Sequence, residues 1–250
     1  MNFLYRMNVS VNKYISDSGF CSRREADKII EQARVSINGN VVLKGARVQE
    51  GDVVEVDGEP IRKKKRAVYI AFNKPKGVTC TTDRNDRTNI IDFINYKSRI
   101  FPVGRLDKLS DGLIFLTNDG DIVNKILRAG NHHEKEYVVN VDKPVTAEFI
   151  HQLRNGVRIS PGALTKKCIA SKEGPKRFRI TLQQGLNRQI RRMCEALGYR
   201  VETLTRVRIM HISLRGIAPG TWRYFTAQEI SEMEELLKHS VKGEEGSWEE

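Results

Sequence analysis

The residue in this chain best placed to do chemistry is Asp107, in the segment that runs from Phe101 to Gly120. An apolar run at residues 100–103 leads into a polar turn, and a second at 113–117 leads out. The pattern predicts strand, loop, strand, with the aspartate on the loop. A carboxylate on a loop carried by rigid strands is placed for reaction. Arg105 adds a cation two positions earlier. Together they point to a nucleophilic or acid–base carboxylate.

Two further segments put unusual residues where a core does not need them. In Lys135-Glu136-Tyr137 an aromatic opens a strand directly after a polar loop. In residues 185–193, Asn187 is expected to cap a helix whose apolar stripe is Ile190, Met193, Cys194 and Leu197, with Gly198 ending it. Arg188, Arg191 and Arg192 then point elsewhere near the helix start, where cations oppose the macrodipole at roughly a few tenths of a kcal/mol each. That penalty suggests that they face anions, either phosphates or a carboxylate; simple solvation is the plain alternative. Arg206 and Arg208 alternate along residues 204–209 and are expected to share one strand face.

Bulk composition limits what such a site acts on. The 250 residues carry 43 Lys plus Arg against 31 Asp plus Glu, a formal net charge of +12. A chain this basic commonly binds a polyanion, nucleic acid first, although a merely well-solvated surface reads the same way. No apolar stretch approaches the roughly 20 residues of a membrane-spanning helix, and the first residues are too short an apolar run for a secretory signal. Cys21, Cys80, Cys168 and Cys194 lie far apart with no paired spacing, so reduced cytoplasmic thiols are expected rather than a disulfide framework or zinc site. Cys80, Cys168 and Cys194 are read as small buried hydrophobes. His132, His133, His151 and His211 are scattered and read as surface or core residues. Asp111 and Asp119 are read as turn formers, and Lys74 to Gly77 as a turn near the domain entrance.

The positioning elements follow. Residues 8–60 read as a compact α/β module. A helix over 11–18 ends at Gly19, and Ser22 with Glu25 forms a capping box opening a second helix. Asn38-Gly39 between β-formers signals a hairpin, and 51–58 is a further strand. Arg23, Arg24 and Lys28 lie on or near the second helix, either as a solvated face with ion pairs or as a phosphate-contacting face that positions RNA without reading it. Five cations at 62–66 mark a solvated linker, residues 61–66, at the domain boundary. From 67 to 226, strands at 68–72, 101–103, 113–117, 137–141, 178–182 and 210–214 outnumber helices at 121–127, 146–153 and 187–197. Without regular βαβ alternation this is an α+β domain with a mostly antiparallel mixed sheet flanked by helices. Residues 227–250 read as a short acidic helix and a frayed tail.

Residues 11–28, followed by Val35-Ser-Ile-Asn-Gly39, resemble the RNA-binding module of ribosomal protein uS4. Residues 9–226 resemble the bacterial rRNA pseudouridine synthases of the RsuA/RluB/RluE/RluF branch, which carry such a module. The likeness is nearest to the RluF type of the large subunit, through residues 187–195 and 208–210. The resemblance implies an isomerase that detaches uracil from ribose, turns it and rejoins it through carbon 5, without cofactor or metal. It implies that Asp107 is catalytic, that Tyr137 stacks on the base and takes part in a proton transfer, and that Arg191 pairs with Asp107. It implies too that Arg105 helps to hold RNA with the target flipped out. Lys135, Arg188, Arg192, Arg206 and Arg208, with Arg23, Arg24 and Lys28, are expected at the RNA. The tail, short and acidic, departs from the long basic tails of some relatives. The expected partner is a ribosomal RNA stem-loop, most readily 23S, bound by a monomer with no membrane. A 16S rRNA or tRNA target stays open.

The chemistry agrees with these residue types. A uridine stacked in RNA must be extruded, at a cost of roughly a few kcal/mol. Cations on phosphates and an aromatic ring under the base, on the order of 1–3 kcal/mol per stacked base, offset that cost. Uracil leaves as a delocalised anion, so one carboxylate suffices, attacking carbon 1′ or taking the 2′ proton. A glycoside hydrolase would want two carboxylates about 5–10 Å apart, which Asp107 and Asp111 could imitate. The alternative from another class is a non-catalytic RNA-binding or ribosome-assembly factor.

Overall fold

The computed structural model describes residues 8–62, 66–159, 162–238 and 240. The centre of the basic linker and the acidic tail, residues 63–65 and 241–250, lie outside them. The chain divides into two compact units with the boundary between Ala67 and Val68.

In the first unit, strand Asn8–Ser10 pairs with Arg47–Gln49. Helix Val11–Ser18 ends at Gly19, whose φ of 84° suits a residue without a Cβ. Ser22 and Glu25 form the full capping box at the start of helix Arg23–Glu31. Asn38 and Gly39, both at positive φ, turn Val35–Ile37 back onto Asn40–Val41. These strands and Val54–Val56 and Glu59–Pro60 make a four-stranded sheet. Val11, Ile15, Ala26, Ile30, Val35, Val48, Val54 and Val56 close its core, each larger side chain contributing about 1.5–3 kcal/mol. Arg34 spans to Asp57 with two hydrogen bonds of 2.8 and 2.6 Å.

The second unit is built on a nine-stranded sheet. Its strands are β1 (Tyr69–Lys74), β2 (Phe101–Val103), β3 (Asp111–Thr117), β4 (Lys135–Val141), β5 (Ile169–Gly174), β6 (Arg177–Leu182), β7 (Val201–Ile209), β8 (Ile212–Ser213) and β9 (Trp222–Tyr224). The order is β5-β6-β4-β7-β3-β1-β9, with β2 on β3 and β8 on β7. Among the described strands of this sheet, only the β7–β3 pair is parallel. The helices are α1 (Ile90–Ile94), α2 (Asp121–Leu127), α3 (Ala147–Asn155), α4 (Gln189–Ala196) and α5 (Ala227–Leu237).

Strand alternation sorts side chains into two cores. Ile70, Phe72, Ile114 and Leu116 face one side with Phe149 and Leu153 of α3 and Ile190, Met193 and Cys194 of α4. Ala71, Leu113 and Phe115 face the other with Ile126 of α2 and Met233 and Leu237 of α5. Helix α5 therefore packs as part of this unit.

Three departures from the sequence reading matter. The pairing of β4 with β7 shifts between Glu136, opposite Arg208, and Tyr137, opposite Arg206, leaving Val207 as a bulge residue. Residues 210–214 are not one strand: Met210 lies at φ 53° in a tight turn between β7 and β8. α4 begins one residue later than expected, its cap being Arg188 rather than Asn187.

Candidate active site

The loop between β2 and β3 carries Asp107. Gly104 follows β2 at its start, and Gly112 lies just inside β3 beyond its end. Gly104 has φ +76°, and an added Cβ would lie 2.8 Å from Leu127. At Gly112, φ is +103° and a Cβ would meet the Arg206 carbonyl oxygen at 2.3 Å. Only glycine lets β3 and β7 approach this closely.

Asp107 is fixed on both sides by residues 74–80. The Leu106 N–H donates to Cys80 Sγ at 3.4 Å, and the Gly77 N–H donates to the Lys108 carbonyl at 2.8 Å. That segment is pinned by Lys74, fully buried, whose Nζ donates to the carbonyls of Pro75 and Val78 at 2.9 Å. Burial lowers the Lys74 pKa, partly opposed by nearby acidic groups including Asp111 and Asp107. The Ser110 N–H closes the loop onto the Asp107 carbonyl at 3.0 Å.

Around the carboxylate lies an open cavity of about 90 Å³, lined by Arg105, Asp107, Tyr137 and Arg188 over a floor that includes Leu182 and Leu204. Arg191, also in the wall, brings Nε to 3.5 Å from Asp107 Oδ2. Its Nη2 donates to Ser110 Oγ at 3.1 Å and its Nη1 to the Val201 carbonyl at 3.4 Å. The guanidinium is almost fully buried, and its Nε has no hydrogen-bond partner there other than the facing carboxylate at ion-pair distance. Arg188 Nη1 approaches the same Oδ2 at 3.7 Å. Arg188 stands at φ 48°, a left-handed conformation that costs an arginine about 1–2 kcal/mol. Tyr137 is 9% exposed, its ring seated in the apolar core and open to the cavity.

Not every expected residue is there. Lys135 is 6% exposed and absent from the cavity wall. Burial, then the charge of Arg206, lowers its pKa to about 8, so it is a buried cation rather than a groove lysine. Arg206 is likewise buried, with Nε donating to the Leu113 carbonyl at 2.6 Å. Arg208 does not share its face, because the Val207 bulge pairs them with adjacent residues of β4. Arg208 is instead held by Glu136 at 2.7 Å and Glu134 at 2.9 Å. Burial would raise the Glu136 pKa, but the hydrogen bonds and charges of Arg208 and Arg179 outweigh it and hold the pKa low. Arg192 donates to the Asn187 carbonyl at 3.2 Å and is outside the cavity wall. In the first unit Arg23, Arg24 and Lys28 are exposed along one helix. Asp119 accepts from Tyr69 and from the Asp121 amide, as a turn former does, whereas Asp111 opens β3 with Lys76 at 4.0 Å. Cys80 and Cys194 are buried, while Cys168 is half-buried.

Sequence reasoning passed over Ser110 and Cys80, the groups that tie the loop to α4 and to residues 74–80. Ser110, three residues after the aspartate, carried a usable signal, since that spacing closes a turn. Nothing in the spacing marks Cys80.

A half-exposed carboxylate between two guanidiniums, beside an aromatic ring and over an apolar floor, suits a flat neutral base whose reaction builds and discharges negative charge. Comparison with known proteins agrees. Residues 68–196 match the family model described as RNA pseudouridylate synthase, and residues 9–54 match the S4 domain. The chain belongs to the RNA pseudouridine synthase family and is an isomerase that converts uridine to pseudouridine. Among its relatives is the dual-specificity RNA pseudouridine synthase RluF of Escherichia coli (strain K12), 57% identical over 235 residues, covering 93% of this chain and 81% of that protein. The ribosomal large subunit pseudouridine synthase B of Bacillus subtilis (strain 168) is 35% identical over 92% of this chain and 97% of its own length. A crystal structure of a pseudouridylate synthase superposes with a TM-score of 0.66 at 29% identity, covering 91% of this chain and 99% of that one. Among the described residues no helix is long and apolar enough to cross a membrane.

Proposed function

We propose that this enzyme isomerises a uridine of large-subunit (23S) ribosomal RNA, extruded from a stem-loop into the cavity beside Asp107. The observation that carries the reading is the Asp107–Arg191 pair at 3.5 Å in a cavity walled by Tyr137. The target class rests on the relatives: one is named for the ribosomal large subunit and the other for dual specificity on RNA, which makes tRNA the second substrate to try.

The steps balance without a cofactor. Asp107, beside two guanidiniums, attacks carbon 1′ or removes the 2′ proton as the N1–C1′ bond breaks, and uracil leaves as an anion. The base turns over the Tyr137 ring, and its carbon 5 takes the place of nitrogen 1 on carbon 1′. Forming the C5–C1′ bond breaks the Asp107–C1′ bond or, on the other route, is accompanied by return of the 2′ proton from Asp107 to carbon 2′. The proton on carbon 5 is then lost and nitrogen 1 gains one, which leaves Asp107 as a carboxylate. Arg105 at the exposed rim holds the extruded strand, and Arg23, Arg24 and Lys28 grip phosphates elsewhere on the RNA.

The test is to incubate purified protein with protein-free 23S rRNA, 16S rRNA and total tRNA from cells lacking this gene and to map pseudouridine at nucleotide resolution. New pseudouridine in 23S rRNA supports the reading. Product confined to 16S rRNA or tRNA overturns the target, and product in none overturns the activity on free RNA.

A further inference from the structure

Arg188 breaks three local rules at once. It has a left-handed backbone, φ 48° and ψ 32°, which arginine rarely adopts. It occupies the cap of α4, where Ser, Thr, Asp or Asn would satisfy the free amides and its own side chain makes no capping hydrogen bond. It also places a positive charge at the positive end of the helix. Asn187, one residue earlier, could cap and could adopt the left-handed turn, yet the chain does not use it so. Conflicts of this kind concentrated in one residue mark a position shaped by function rather than by folding.

The geometry shows what the conflict accomplishes. The left-handed turn directs the side chain back across the start of α4, and Nη1 reaches to 3.7 Å from Asp107 Oδ2, the oxygen that Arg191 approaches at 3.5 Å. The two guanidiniums differ in freedom. Arg191 is 9% exposed and tied to Ser110 and Val201, whereas Arg188 is 46% exposed.

We infer that Arg188 is a further catalytic residue, a second and movable cation on the reacting carboxylate. Arg191 orients Asp107 permanently. Arg188 holds the charge of the empty site and, once RNA enters, follows negative charge from the carboxylate to the departing uracil anion. This rests on Asp107 being the reacting group. It goes beyond a phosphate contact, because its consequence falls on the chemical step.

The test uses the full-length enzyme and saturating 23S rRNA fragment under single-turnover conditions, which separates chemistry from binding. Arg188→Asn keeps a side chain that tolerates the left-handed turn, so folding is preserved, and thermal unfolding checks this. The expected result is a fall of about 10²-fold in the chemical rate, with RNA affinity changed by less than about threefold. Arg188→Lys should recover part of the rate, and added guanidinium ion should partly rescue Arg188→Asn. An unchanged rate with weakened, more salt-insensitive binding would overturn the inference and leave a phosphate contact. Asp107→Asn is run in parallel. If it turns over, the assignment of Asp107 fails; if it is inactive while Arg188→Asn is fast, only the role of Arg188 fails.

Discussion

Arg206 and Arg208 lie two residues apart on one strand, yet the first stands opposite Tyr137 and the second opposite Glu136. Adjacent residues of β4 project to opposite faces, so the bulge at Val207 sends one guanidinium into the interior behind the site and the other into a surface ion-pair ladder. Removing Arg208 should therefore affect stability and not RNA. Arg208→Ala loses its bonds to Glu134 and Glu136, a cost of about 1–2 kcal/mol. Urea unfolding should show that loss while RNA affinity and its salt slope stay at wild-type values. A lowered slope would put Arg208 at the RNA after all.

Asp107→Asn should retain RNA binding and lose pseudouridine formation. The amide keeps the shape of the loop but neither attacks carbon 1′ nor accepts a proton. Product formation at the wild-type rate would refute the assignment.

Lys135 gives a pH signature. Its folded pKa of about 8 lies below its ordinary value, so between these limits the unfolded chain binds more protons and stability rises with pH. The charge-burial cost is fully present below about pH 8 and fades toward pH 10.5, an effect of about 3 kcal/mol at most. Lys135→Met should be more stable than wild type at pH 7, with the difference shrinking in alkali. Denaturant midpoints across that range measure it, and parallel curves for the two proteins would contradict the account.

Gly112→Ala should be among the most damaging single changes. A methyl 2.3 Å from the Arg206 carbonyl cannot be accommodated without parting β3 from β7. A loss of about 4 kcal/mol or more is expected in chemical denaturation. A variant within about 1 kcal/mol of wild type would mean that the two strands part more easily than their packing implies.

Arg23, Arg24 and Lys28 together test the first unit. The triple alanine variant should bind RNA with a salt slope reduced by about 0.7–0.9 for each phosphate that the helix no longer neutralises. A retained slope would return this helix face to plain solvation.

Much of this was legible in the sequence for physical reasons. Asp107 was readable because apolar runs bracket a polar turn, and the first unit because a capping box and an Asn-Gly turn act locally. The bulge was not, since Thr205-Arg-Val-Arg208 has a flawless period of two and the extra residue is set by the partner strand. Lys135 read as exposed because it follows a polar loop; only the tertiary packing around β4 buries it. Strand β5, at the sheet edge, escaped because Ser171-Lys-Glu-Gly174 has little apolar content to show, and the turn at Met210 because neither Met nor His announces one. Asn187 looked like the cap on propensity, and Arg188 displaced it to reach Asp107.

The two ties from residues 74–80, one to Leu106 and one to Lys108, bracket the aspartate with one rigid strap. An acid anchored fore and aft does not travel to its target. On the proposed reading the journey belongs to the nucleotide, which must come to a carboxylate held in place.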